Sequence, residues 1–378
     1  MKLLNGSSHY KLLKRPRIFS GLLNLLETMD DFRKIIRSMK LVYSNDHLPG
    51  YTRKRKGNSF IYLDDTGKII QDQAILYRLK ALVLPPAWTS IWICKKANGH
   101  LQATGFDVGG RKQYRYHSNW SKYRNDIKHD CMLSFGIVLP KIREQIEKDL
   151  CKTNFSKEKV IALCIKILDQ TLMRIGNHKN VKRYGSYGLT TLRNKHIKII
   201  GCKIKISFKG KKGVFQDIEF THARLARLIK KVKVIPGQEL FQYYDEAGNL
   251  NSIDSGCVND YLKAYGNEEF TAKDFRTWAG TVNAFLAQLD PFNTEKESKR
   301  NINLAIDNVA SKLGNTRAVC KKYSIHPKLL SYYEEGKIWP YLTRLKKLKS
   351  NSESTLLFKP EEKIILQFLK KEVCHTKK

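Results

Sequence analysis

The chain has 378 residues, 42% of them apolar, enough to bury a core in one large or two modest domains. Its 70 Lys and Arg against 35 Asp and Glu leave a formal net charge of +35. Like charges repel in a compact state, so this excess argues against an ordinary cytosolic enzyme and calls for a polyanion, nucleic acid above all.

Residues 1–44 read as an N-terminal arm. The start, MKLLNGSSHYKLLKRPRIFSGLLNLLETMDDF, sets basic residues before a short leucine cluster. Asn24 and Glu27 interrupt that cluster, and no small-residue cleavage site follows, so it is not read as a signal peptide. It is expected to be an amphipathic arm, or an over-extended start with Met29 as the initiator. No apolar run approaches a membrane span, and a soluble, cytoplasmic protein is expected.

Residues 45–118 read as strands and turns. SFIYLDDTGKII places apolar residues on both sides of an Asp-Thr-Gly turn, a hairpin signal. WTSIWICKKANGHLQATGFD repeats the pattern around Asn98-Gly99, the dipeptide suited to a tight primed turn. In RKQYRYHSNW, Tyr114 and Tyr116 alternate with Gln113 and Arg115, giving one aromatic and one polar strand face. Arg111, Lys112, Gln113, Tyr114 and Tyr116 are the DNA-binding residues expected in this domain.

From residue 119 the pattern turns helical. KEKVIALCIKILDQTLMRIGN is apolar over most of its circumference, which predicts a buried helix stopped at Gly176. HIKIIGCKIKISFKGKKGVFQDIEF alternates Ile204, Ile206 and Phe208 with Lys203, Lys205 and Lys209, a strand with one wet basic face, and GKKG makes a hairpin turn. TAKDFRTWAGTVNAFLAQLDP opens with Thr271 and Asp274 in capping-box spacing and stops at Asp290-Pro291. SKRNINLAIDNVASKLGNT is a helix closed by Gly314. TRAVCKKYSIHP starts another at Thr316 that must stop near Pro327, and PEEKIILQFLKKEV is a final amphipathic helix. The expected fold class is therefore α+β. A small β-rich domain at 45–118 precedes a larger, mainly α-helical catalytic domain at 119–378 that carries a small β-hairpin sheet. The eight cysteines, from Cys94 to Cys374, form no CxxC pair or Cys/His cluster, so reduced thiols are expected and no metal site.

The run LPPAWTSIWICKKANGHLQATGFDVGGRKQYRYHSNW is similar to the bacterial and poxvirus-like type IB DNA topoisomerases. So are LPGYTRKRKGNSFIYLDDTG, MRIGN, YGSYGLTTLRNKHI, FKGKKG, KDFRTWAGT and LGNTRAVCKKYSIHP, in family order over roughly residues 45–365. The resemblance implies the fold shared by these enzymes and the tyrosine recombinases, with two lobes around duplex DNA. It also implies relaxation of supercoils by a transient 3′-phosphotyrosine link, without ATP, metal or any cofactor, in a monomer of bacterial nucleoid or viral type.

The resemblance assigns roles that the chemistry supports. Transesterification at a DNA phosphate builds negative charge on the non-bridging oxygens, a load that suits guanidinium groups. The family's two arginines fall at Arg174, read as the last turn of a buried helix, and at Arg276, in the first turns of a capped one. The leaving 5′-oxygen needs a proton, and a lysine in a cationic site can supply it. That lysine corresponds to Lys211 in FKGKKG, with Lys212 a rival by one position. Asn315 takes the place of the last oxyanion donor, although an Asn after Gly314 also suits a plain turn.

One departure matters. The family nucleophile is a tyrosine nine residues beyond that donor, and the count from Asn315 lands on Ser324; the tyrosine stands one place earlier, at Tyr323. One residue turns a helical side chain by about 100°. Arg317 also stands where the family usually has proline. Three explanations follow: a local register shift that brings Tyr323 into play, a silent DNA-binding relative, or a substitution or reading error. A tyrosine recombinase is disfavoured because no HxxR accompanies Arg276. GxSxG, Walker lysine loop and GxGxxG motifs are absent.

Overall fold

In a computed structural model that describes residues 25–266, 270–288, 298–351 and 357–375, the chain divides between Ile127 and Lys128 into two units, each with its own core. The first 24 residues, and with them most of the expected arm, lie outside the described residues.

The first unit contains α1 (Leu25–Ser38), β1 (Gly50–Lys56), β2 (Ser59–Leu63), α2 (Gln73–Ala81), β3 (Thr89–Cys94), β4 (Leu101–Phe106) and β5 (Lys112–Tyr116). The strands form one antiparallel sheet in the order β2-β1-β3-β4-β5. Leu79, Ile93 and Ala103 are fully buried beneath it, while Ile36 and Leu41 pack with Trp120 in a second small cluster.

Three expectations change here. The main hairpin at this end joins β1 to β2 through Gly57, whose φ is 58°, and the Asp-Thr-Gly segment makes only a single bridge, Leu63 to Ile69. Asp64 closes that second turn, its carboxylate taking the N–H groups of Thr66 and Lys68, both at 2.9 Å. The Asn98-Gly99 hairpin exists as β3–β4, but residues 95–100 connect it, so the turn is a longer loop. The glycine is needed there for space, since a Cβ would lie 2.6 Å from the Cys94 sulfur. A helix, α2, also interrupts the strands; Asp72 caps it by accepting from the N–H of Ala74 (2.8 Å) and Ile75 (3.1 Å).

The helix α3 (Ser118–Cys151) contains the division between the units. The second unit continues with α4 (Lys157–Thr171), α5 (His178–Tyr184), β6 (Ile197–Ile200), β7 (Lys203–Lys209), β8 (Phe215–Thr221), α6 (Ala223–Val232), β9 (Gln242–Tyr244) and β10 (Leu250–Ser252). It ends with α7 (Ser255–Gly266), α8 (Ala272–Ala287), α9 (Ser298–Leu313), α10 (Arg317–Tyr323), α11 (Pro327–Glu334), α12 (Trp339–Asn351) and α13 (Pro360–His375). The α+β class holds, with a three-stranded sheet, β6-β7-β8, set into the helical unit.

The sequence patterns explain these elements. Every residue of α4 from Lys159 to Leu168 is buried, as its all-round apolar surface requires. In β7, Ile204, Ile206 and Phe208 are buried while Lys203, Lys205 and Lys209 face solvent. The capping box of α8 forms, with the Asp274 carboxylate accepting from the Thr271 N–H at 2.8 Å. Asp290-Pro291 lies outside the described residues. Gly314, at φ 57°, closes α9, and Thr316 caps α10.

A buried ionic hub ties four of these helices together. The Arg143 guanidinium donates to Asp169 on α4 (2.9 and 3.0 Å) and to Glu362 on α13 (2.7 and 3.0 Å). Glu362 also accepts from the Trp278 indole of α8 at 3.1 Å. The C-terminal helix is thereby fixed to the helix that carries Arg276.

Candidate active site

Arg174 does not sit in a helix. Its helix, α4, ends at Thr171, and Leu172 adopts a left-handed φ of 54° that turns the chain out. Residues 174 and 175 then run beside 189 and 190, with N–H groups of Leu189 and Thr190 bonded to the carbonyls of Arg174 (2.8 Å) and Ile175 (2.7 Å). These bonds take the carbonyls that a continuing helix would use. Gly176, with φ 95°, abuts Gly188 so closely that a Cβ at 188 would lie 2.5 Å from the Cα of 176. The stop expected at Gly176 therefore comes at Thr171, and the glycine serves close approach.

Arg276 lies in the second turn of α8. Its guanidinium donates to the carbonyl oxygens of Leu172 and Leu313, the latter at 2.6 Å. Arg174 donates to the carbonyl of Gly314 at 2.9 Å and to the side-chain oxygen of Asn315. Among the described residues no carboxylate pairs with either guanidinium. Burial, and then the charge of Arg174, push the Arg276 guanidinium down to about 10; burial also lowers that of Arg174. Two cations held together on neutral oxygens make a site that favours an anion.

The same pocket is lined by Arg174, Arg276, Lys211, Gln216 and Leu313. Lys211 follows Gly210 at the β7–β8 turn, while Lys212 takes a left-handed φ of 62° and is not among the lining residues. Asn315 follows Gly314 at the end of α9, beside Arg174. The geometry therefore gathers Arg174, Lys211, Arg276 and Asn315.

The two hydroxyl residues are arranged differently. Tyr323 ends α10, is 41% exposed, and does not line the pocket. Its ring lies beneath the ammonium groups of Lys322 (5.3 Å to the centroid) and Lys128 (6.0 Å). Ser324 is buried, its N–H bonded to the Cys320 carbonyl at 2.9 Å, and its carbonyl packs on α8, where a Cβ at Gly280 would lie 2.3 Å away. Arg317, in place of the family's proline, pairs with Asp307 of α9, with one bond at 2.6 Å.

Sequence reasoning missed Cys320, Gln216 and Lys128. Cys320 is fully buried between Asn315 and Ser324, and burial pushes its thiol up. Its place three residues before Tyr323 was the available signal; Gln216 and Lys128 are brought in only by the tertiary fold.

The DNA-binding residues expected in the first unit lie on or beside β5. Tyr114 and Tyr116 stack at 6.0 Å with an interplanar angle of 10°, and Tyr114 is half exposed. Arg111 and Gln113 both reach Asp107 (2.8 and 2.9 Å), and Lys112 pairs with Asp46 at 2.5 Å. Among the described residues there is no group of three or more His, Cys, Asp or Glu that could hold a metal, and no helix long and apolar enough to cross a membrane.

Two family models match the chain. Residues 112–352 match the catalytic core of eukaryotic DNA topoisomerase I, and residues 59–107 match the N-terminal domain of bacterial DNA topoisomerase IB. DNA topoisomerase 1B of Acanthamoeba polyphaga mimivirus is 32% identical over 307 residues, covering 78% of this chain and 90% of that protein. DNA topoisomerase 1B of Vaccinia virus (strain Copenhagen) is 26% identical over 233 residues, covering 60% of this chain and 71% of that protein. A solved XerH site-specific recombinase bound to difH substrate aligns at a TM-score of 0.33 and 17% identity, over 53% of this chain and 52% of that one.

Proposed function

The chain belongs to the type IB DNA topoisomerase family, and from that membership we propose that it nicks and reseals one strand of duplex DNA, as a monomer, at the pocket between α4, α8 and the β7–β8 turn. The observation that carries this reading is the pair of guanidiniums, Arg174 and Arg276, resting on neutral carbonyls beside Lys211. A phosphodiester entering the pocket offers them charged oxygens in place of carbonyls. Residues 45–118 form the DNA-clamp domain, with Lys112 and the Tyr114–Tyr116 stack in contact with the duplex.

The phenol of Tyr323 gives up its proton to solvent as its oxygen attacks phosphorus, the bond to the 5′-oxygen breaks, and Lys211 gives that oxygen its proton. Arg174, Arg276 and the Asn315 amide stabilise the charge on the non-bridging oxygens. The 3′-phosphotyrosine is itself a phosphodiester, so resealing runs the same steps backward and needs no ATP. The two guanidiniums meet the charge that a metal ion would otherwise meet, and no cofactor is required.

Ser324 is the weaker nucleophile, being short and buried. For Tyr323 to reach the pocket, the end of α10 must turn by about one residue, roughly 100°. Cleavage is therefore slow in the chain as it stands. A second reading, a silent DNA-binding relative, is favoured by the place of Tyr323 outside the pocket.

A duplex that traps the cleaved state, incubated with wild type, Tyr323→Phe and Ser324→Ala, separates the readings. The expected result is a slow 3′-linked protein–DNA adduct, lost in Tyr323→Phe and kept in Ser324→Ala. The double change Tyr323→Ser with Ser324→Tyr restores the family order and should accelerate adduct formation. No adduct from the wild type, alongside intact duplex binding, would establish the silent relative.

A further inference from the structure

Lys128 stands in α3, whose next turns bury Met132, Phe135 and Leu139 in the core of the second unit, so its backbone is a fixed post. Its ammonium donates to the main-chain carbonyl of Tyr323 and lies 6.0 Å from the centroid of the same residue's ring. That carbonyl belongs to the last turn of α10, a helix of seven residues, where a cation meets the negative end of the helix. On the other side, the Ser324 carbonyl is seated against Gly280, and the N–H groups of Ser324 (2.9 Å) and Ile325 (3.2 Å) both bond to the carbonyl of Cys320. Turning Tyr323 toward Arg174 and Arg276 rotates its carbonyl as well, which breaks the bond from Lys128.

We propose that Lys128 is a positioning residue that latches the end of α10 and holds Tyr323 away from the arginine pocket. The latch rests on the reading of Tyr323 as the nucleophile. Lys322, which touches only the ring, is not part of it. Lys128→Met removes the ammonium and keeps most of the alkyl stem that packs beside the helix, whereas Lys128→Arg keeps a cation.

Two measurements test the latch in the full-length protein. The first is the single-turnover rate of adduct formation on a duplex that traps the cleaved state, at saturating protein. Lys128→Met should be about tenfold faster than wild type, the equivalent of losing one charge-assisted hydrogen bond, without tighter duplex binding. Lys128→Arg should remain near the wild-type rate. The second is hydrogen exchange at the Ser324 and Ile325 amides without DNA, which should quicken about tenfold in Lys128→Met and stay unchanged in Lys322→Met. Unchanged exchange in Lys128→Met overturns the latch whatever the chemistry does. Faster exchange with an unchanged or slower adduct rate also overturns it. If neither protein forms an adduct, or Tyr323→Phe still forms one, the assignment of the nucleophile fails and the exchange measurement alone decides the latch.

Discussion

At Arg276 a guanidinium is buried beside that of Arg174, and its donors reach only the carbonyls of Leu172 and Leu313. An unpaired cation in a poorly solvated place destabilises the fold unless an anion joins it. The arrangement therefore makes an opposed prediction for function and stability. Arg276→Gln removes the charge and keeps an amide donor on a shorter side chain. It should be at least as stable as wild type in denaturant titration, and its adduct rate should fall by about 10²–10³-fold with little change in duplex binding. A variant that lost stability and kept its rate would show that the arginine serves packing.

The α10–α11 junction is an element with its own pH dependence. His326 caps α11, its Nδ1 accepting from the Lys328 N–H at 3.3 Å, and its ring meets His129 of α3 at 5.0 Å. Burial pushes His326 down to about 3, with further pushes from His129 and Lys328, and His129 down to about 4, with a further push from Lys128. The unfolded chain takes up these protons near pH 6.5, and the folded chain refuses them until much lower pH. Stability from the pair is thus fully present above about pH 6.5 and declines as pH falls toward 4. The loss should reach about 2–4 kcal/mol by pH 5, read as a falling denaturation midpoint. His326→Asn keeps a capping side chain and should remove about half of that slope. An equally steep slope in this variant would place the acid sensitivity elsewhere.

For the molecule as a whole, the formal charge of +35 already sets 35 carboxylates against 70 Lys and Arg, and it is the count of 70 cations that overstates what is free to meet DNA. On the wet face of β7, Lys203 pairs with Glu219 and Lys205 with Asp217 across the strand pair, so a face that reads as bare lysine carries its own counter-charges. Lys112 and Arg111 are likewise paired. Duplex binding should still weaken steeply with salt, by about 0.9 in log K per log unit of salt for each phosphate neutralised. The expected slope is several units but well short of what the count of Lys and Arg alone would suggest. Titration by fluorescence anisotropy between low and physiological salt measures it, and a slope near zero would exclude phosphate-driven binding.

Local rules in the sequence were sufficient for much of this protein. The periodicities of α4 and β7, the capping box at Thr271, the glycine stop at Gly314 and the cap at Thr316 all depend on residues within one or two turns of each other, so they could be read directly. The ordered motifs carried the family and nominated the four groups of the pocket. Tertiary structure decided what depends on distant partners. The early stop of α4 arises because residues 174 and 175 bond to 189 and 190, contacts that no local pattern encodes. The α2 helix was hidden in a segment whose neighbours read as turns. The carbonyl seats of the two arginines, and the capture of Tyr323 by Lys128 across 195 positions, exist only once helices far apart in sequence are packed together. The sequence could number the displaced tyrosine; only the packing of α10 against α3 and α8 decides where its side chain can go.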